Sequence, residues 1–201
     1  MGIETLLSFV QVFAAAVWTP GPNNAMLAAS GATFGFRATL PHLIGVAFGF
    51  AAMLFIVALG IGAVFERVPV LEPIVRLAGV LLLLWVAWLI ATMRPPGAAG
   101  GRQRPFTLTE AVLFQWVNPK AWAMTIALAG LFTAPETVLR DASILALLSA
   151  LIGLTSASGW TGLGAALQRV LAAPGRLRIF NIAMATMILF GVGAILLEGG
   201  I

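Results

Sequence analysis

The chain has 201 residues, 61% of them hydrophobic and 9% charged, with a mean hydropathy of +1.05 and a net charge of +4. No single soluble core buries that share of apolar side chains, so the composition excludes a soluble domain and leaves a polytopic membrane protein. With no cysteine and one histidine, disulfides, thiolate metal sites, thiol redox chemistry and histidine-rich metal tracts are excluded, and basic residues scattered between apolar runs do not make a nucleic-acid surface.

Six spans are predicted, each long enough to cross a hydrocarbon core of ~30 Å. The first runs from about Thr5 to Phe34. Met1-Gly2-Ile3-Glu4 has no basic segment and no small-residue cleavage site follows it, which predicts that this span is retained. In its middle lies Trp18-Thr19-Pro20-Gly21-Pro22-Asn23-Asn24. Pro20 and Pro22 lack an N–H, so the carbonyls of Ala16 and Trp18 lose their helical partners, and Gly21 is expected to let the backbone turn. Backbone unpaired at membrane depth must pack in protein or line a wet cavity. Asn23 and Asn24 suit the start of a second half-helix, whose N-terminus favours an anionic or zwitterionic group. A proline kink that serves packing accounts for the same residues.

The second span runs from about His42 to Val64, and Glu66-Arg67-Val68-Pro69 with Glu72-Pro73 is read as a short loop. The third, from about Ile74 to Met93, leads into the long polar linker from Arg94 to Pro105. The fourth, from about Leu108 to Phe132, carries a second break at Gln115-Trp116-Val117-Asn118-Pro119-Lys120, where Pro119 frees the Gln115 carbonyl. The fifth and sixth run from about Ala142 to Leu167 and from about Ile179 to Leu197. Arginines 37, 94, 102, 104, 169, 176 and 178 fall on one side and arginines 67, 76 and 140 on the other. The positive-inside rule makes the first group cytoplasmic and puts both termini outside. Matching breaks in the first spans of two oppositely oriented halves predict an inverted repeat within one membrane transport domain: residues 1–93, a linker over 94–107, and residues 108–201.

Lys120 is the most informative charge. It lies about 15 Å into the fourth span, near the bilayer midplane, where an unpaired ammonium costs about 2.5–3.5 kcal/mol. It is expected to meet a substrate carboxylate or to take part in proton coupling. Snorkelling to the interface is the bland alternative. Asn23, Asn24 and Asn118 either hold substrate or satisfy freed carbonyls, and Gln115 and Gln11 are read as buried interhelical glue. Asp141 and His42 are further candidates for proton coupling, weighed against a helix-start carboxylate and an interfacial histidine. Glu110 reads as a helix N-terminal acid. Gly45 and Gly49, with Gly153, Gly159, Gly162 and Gly164, let helices approach closely, within one chain or across a homodimer. No Ser-His-Asp set, phosphate loop or metal-ligand cluster is present, so no enzyme, cofactor or ATP-driven pump is expected.

Thr19-Pro20-Gly21-Pro22-Asn23 together with Asn118-Pro119-Lys120 resembles the LysE/RhtB family of bacterial amino-acid exporters, and the resemblance extends over the whole chain. It implies an all-α inner-membrane protein and secondary export of amino acids or related small metabolites in exchange for protons. Pro20, Gly21, Pro22, Asn23, Asn118, Pro119 and Lys120 match its two motifs, and Asn24 joins them as a substrate-binding candidate. With no carboxylate at mid-membrane, a neutral amino acid is favoured over a cationic one. Two rival functions stand beside it: export of metal or other ions, and a membrane-embedded assembly subunit.

Overall fold

A computed structural model describes residues 1–61, 70–94, 102–171 and 173–198. Of the expected loop, residues 66–69 lie outside the described residues, as does most of the linker after Arg94, whereas Glu72 and Pro73 are not loop but stand in the first turn of the helix Leu71–Ala91, where a proline's missing N–H costs no helical bond. Among the described residues there are eight α-helices and no strand: α1 (Ile3–Trp18), α2 (Pro22–Phe34), α3 (Phe36–Ile56), α4 (Leu71–Ala91), α5 (Leu108–Gln115), α6 (Pro119–Phe132), α7 (Val138–Leu167) and α8 (Pro174–Glu198). A π turn, Val57–Ile61, extends α3, and a 3-10 turn, Pro135–Thr137, leads into α7.

Among the described residues three stretches are each long and apolar enough to cross a membrane: Phe36–Gly60, Pro135–Leu167 and Gly175–Gly193. α1 and α2 form a further passage bent by 56° at its break. The 21 residues of α4 reach about 31 Å. α5 and α6 continue one another from Leu108 to Phe132 across the second break. Paired across their breaks, the eight helices make six passages, and the protein is a multi-pass membrane protein. Large apolar side chains such as Leu81, Trp88, Leu147 and Phe190 face outward, as a lipid-bathed surface requires.

The helix starts follow from local chemistry. α2 and α6 each begin with a proline, whose missing N–H is an orphan at that position in any helix. α5 opens with a capping box: the Thr107 hydroxyl accepts from the Glu110 N–H, and the Glu110 carboxylate accepts from the Thr107 N–H. Between α2 and α3 the connection is a single residue, Gly35, at φ 84. A side chain there would be strained, and with glycine the chain reverses in one step. α3 therefore starts six residues before the expected His42, with Pro41 inside its second turn.

α7 packs along both α2 and α3, α3 also packs on α5, and α4 pairs with α8. Glycines set these distances. A Cβ on Gly31 would collide with the Thr161 carbonyl, and one on Gly164 with the Ala28 carbonyl, so α2 and α7 touch backbone to backbone. A Cβ on Gly45 would stand 2.6 Å from the Leu108 carbonyl oxygen, and one on Gly49 would stand 2.9 Å from Val112 Cα, which joins α3 to α5 in the same way. On the other side of the breaks the core is built from side chains. Phe9, Phe13 and Phe50 stack in series, and Phe132 meets Phe9 edge-on at 5.4 Å.

Candidate functional site

Each break disposes of its unpaired backbone differently. At the first, the Asn24 amide donates to both the Val17 and the Thr19 carbonyls, at 2.9 Å each. Ser156 of α7 donates a second bond to Val17 O at 2.9 Å, and the Lys120 ammonium donates to Thr19 O at 3.1 Å. Both carbonyls have their two lone pairs filled. At the second break a tight turn closes most of the gap, with Asn118 N–H donating to the Gln115 carbonyl at 3.3 Å. The Trp122 indole N–H supplies the Trp116 carbonyl at 2.8 Å. Asn23 and Gln115 join the two breaks through their amides, with Asn23 Nδ2 donating to Gln115 Oε1 at 2.9 Å and Gln115 Nε2 returning a bond at 3.4 Å. Gln115 is thus the interhelical link that the sequence suggests, whereas Gln11 is exposed on α1 rather than buried.

A half-open cavity lies where the breaks meet. Gly21, Pro22, Asn23 and Asn24 line it from one break, and Asn118, Lys120 and Ala121 line it from the other. Pro20 is exposed and Pro119 packs against Gly79 of α4, and neither is among the lining residues. Phe13, Phe50 and Met124 form an apolar wall, and Ser149, Gly153 and Ser156 of α7 complete it. No carboxylate, imidazole or thiol is among the lining residues.

Several donors at the breaks are not consumed by the fold. α2 has no side-chain cap at Gly21, and its first backbone bond is Ala25 N–H to Gly21 O at 2.9 Å. The Asn23 and Asn24 N–H groups at the head of α2 are therefore uncapped. α6, by contrast, is capped by Asn118, whose Oδ1 accepts from Lys120 N–H at 3.1 Å and so leaves its Nδ2 for the cavity. Lys120 spends one of its three ammonium protons on Thr19 O, and among the described residues no carboxylate lies within 4.0 Å of it. Gly21 is fully extended, at φ −177, a conformation open to any residue, so backbone freedom is not what selects it. A Cβ there would stand 3.1 Å from Lys120 Nζ and 3.2 Å from its Cδ; the glycine makes room for the lysine.

The other two candidates for proton coupling lie elsewhere. Asp141 is buried at the start of α7, where it accepts from the Thr137 hydroxyl at 2.6 Å and from the Arg140 guanidinium at 3.2 Å. His42 is fully buried, its Nδ1 3.3 Å from the Ser30 hydroxyl and its Nε2 without a partner among the described residues. Its ring meets Phe106, over which the Arg102 guanidinium sits at 4.0 Å. Arg102 and Arg104 both bind the Glu110 carboxylate, at 2.6 and 2.8 Å. That bond raises Arg104 above the usual arginine value, while burial lowers Arg102.

Residues 14–199 match the LysE type translocator family. The chain belongs to the LysE type translocators. A cysteine/O-acetylserine efflux protein of Salmonella typhimurium (strain LT2) is 30% identical over 176 residues, covering 86% of this chain and 87% of that protein. The protein of the same name from Escherichia coli (strain K12) is 29% identical over 177 residues, with the same coverage. No solved structure matches the chain. In this LysE type translocator the α7 wall is what sequence reasoning misses. Ser149 and Ser156, with Gly153 between them, recur at i, i+4 and i+7. That spacing places them on one face of a helix, and it was the available signal.

Proposed function

We propose that this translocator exports small neutral amino acids or closely related metabolites, binding them in the cavity between the two broken helices. The observation that carries the reading is the convergence on one cavity of the Lys120 ammonium, the free Asn118 amide and the uncapped N–H groups of Asn23 and Asn24. A substrate carboxylate satisfies all of them, which an uncharged solute does not. The names of the relatives support the substrate class. A metal ion finds no ligand set in a cavity lined by an ammonium and amides. In this reading Asn24 is spent on the break and Asn23 on Gln115, so substrate contact at α2 comes from their backbone rather than their amides.

Export is driven by the proton gradient, with Lys120 as the exchanging group, because of Lys120, Asp141 and His42 it is Lys120 that lines the cavity. Residues 1–93 and 108–201 act as inverted halves that alternate access around the breaks, with the arginine-rich loops cytoplasmic and the termini outside. The test is counterflow of labelled L-cysteine, O-acetyl-L-serine and other neutral amino acids by the purified protein in liposomes, with and without a pH gradient. Transport of at least one of them, accelerated by the gradient and lost in Lys120→Ala at normal protein yield, is expected. Transport that survives Lys120→Ala refutes the site, and no transport by the wild type refutes the function.

A further inference from the structure

The cavity is chemically two-sided. Where the breaks meet, its unused groups are the donors of the Lys120 ammonium, the Asn118 amide and the head of α2, beside a single side-chain acceptor without a hydrogen bond among the described residues, Asn24 Oδ1. The α7 side is the reverse. Ser149 and Ser156 both line the cavity and are buried to within 1% exposure. Ser149 gives its hydroxyl proton to the Ala146 carbonyl at 2.9 Å, and Ser156 gives its own to the Val17 carbonyl at 2.9 Å. A hydroxyl carries one proton and two acceptor lone pairs. With both protons committed, each serine has acceptor capacity and no donor left for a ligand. Among the lining residues no carboxylate competes for that role, and the acceptors at the first break, Val17 O and Thr19 O, are already doubly bonded.

We infer that Ser149 and Ser156 are the ammonium-recognising end of the site, so that the protein selects a neutral α-amino acid zwitterion over the same molecule without its amino group. A lysine-like substrate would bring a second cation, for which the lining holds no counter-charge. The inference rests on the reading that substrate occupies this cavity, and it adds which end of the substrate α7 reads. A hydrogen bond to a charged group is strong enough that losing one weakens binding by about tenfold or more.

The experiment is competition against labelled L-cysteine counterflow in proteoliposomes of the full chain, using unlabelled L-cysteine or 3-mercaptopropionate, which keeps the thiol and carboxylate and lacks the ammonium. Wild type is expected to prefer L-cysteine by at least about tenfold. Ser149→Ala is expected to weaken L-cysteine about tenfold while leaving 3-mercaptopropionate unchanged, so that the preference collapses. Ser149→Thr keeps the hydroxyl and is expected to restore it. A purely structural serine would weaken both competitors alike. Should Ser149→Ala not yield folded protein, Ser156→Ala carries the same comparison. A preference that persists in both alanine variants overturns the inference and leaves the exporter standing. Wild-type protein that transports no amino acid overturns the exporter reading, and the inference with it.

Discussion

Asn24 invites the sharpest quantitative test, because one side chain supplies two carbonyls at the broken end of α1. Asn24→Ala removes both donors, yet Val17 O keeps Ser156 and Thr19 O keeps Lys120. Neither acceptor is stripped, so the cost is that of two ordinary bonds. At about 0.6 kcal/mol each between membrane helices, the single variant loses about 1 kcal/mol. Ser156→Ala removes one bond and loses about 0.6 kcal/mol. The double variant leaves Val17 O with no partner in the protein, which adds the penalty of a buried orphan acceptor, about 1–3 kcal/mol. Together they should exceed the sum of the single losses by at least about 1 kcal/mol. The assay is denaturant unfolding in mixed micelles, followed by fluorescence of the six tryptophans. Costs that add to within about 0.5 kcal/mol, or an Asn24→Ala variant as stable as wild type, would refute the account of how this break is held.

Gly21→Ala should fold normally, because its backbone is extended, but should displace the Lys120 tip and raise KM severalfold without a matching loss of stability; parallel transport and unfolding curves check this. Gly164→Ala forces a methyl against the Ala28 carbonyl and should cost about 1–3 kcal/mol in the unfolding assay. Gly162→Ala is the control, since the nearest atom to its added methyl, in Phe36, is 4.0 Å away. Glu110→Ala dissolves the capping box and both arginine pairs; the cap is worth about 1 kcal/mol and the half-exposed pairs less, and the unfolding midpoint should fall accordingly while L-cysteine KM stays constant.

Much of this architecture was legible in the sequence because clustered prolines mark the two breaks, although Pro41 is carried inside α3. Pro20, Pro22 and Pro119 must break a helix, and Thr107 with Glu110 three residues later announces a helix start. The depth of Lys120 could be counted along the span, which is why its place on the cavity wall was expected. Facing was harder to read. Gln11 and Gln115 look alike in a linear apolar run, and only packing exposes one and buries the other. Ser149 and Ser156 read as ordinary small residues of a membrane helix, since nothing local tells a cavity from a neighbouring helix. Gly21 was assigned to the right place for the wrong physical reason: its neighbour in space is Lys120, 99 positions away in the chain. The one-residue turn at Gly35 was hidden because a glycine flanked by phenylalanines, with a proline six residues on, looks the same as a short loop.

The glycine contacts make the two halves of the bundle differ in stiffness. On the arginine-rich side of the breaks, α2 meets α7 and α3 meets α5 with carbonyls where side chains would otherwise stand. Such surfaces have no rotamers to adjust, so they stay seated or part as a whole. Across the breaks the contacts are phenylalanine rings, which can tilt and slide against one another while keeping apolar area covered. In the proposed exporter, parting the phenylalanine layer is then a graded movement and parting the glycine seam an all-or-none one.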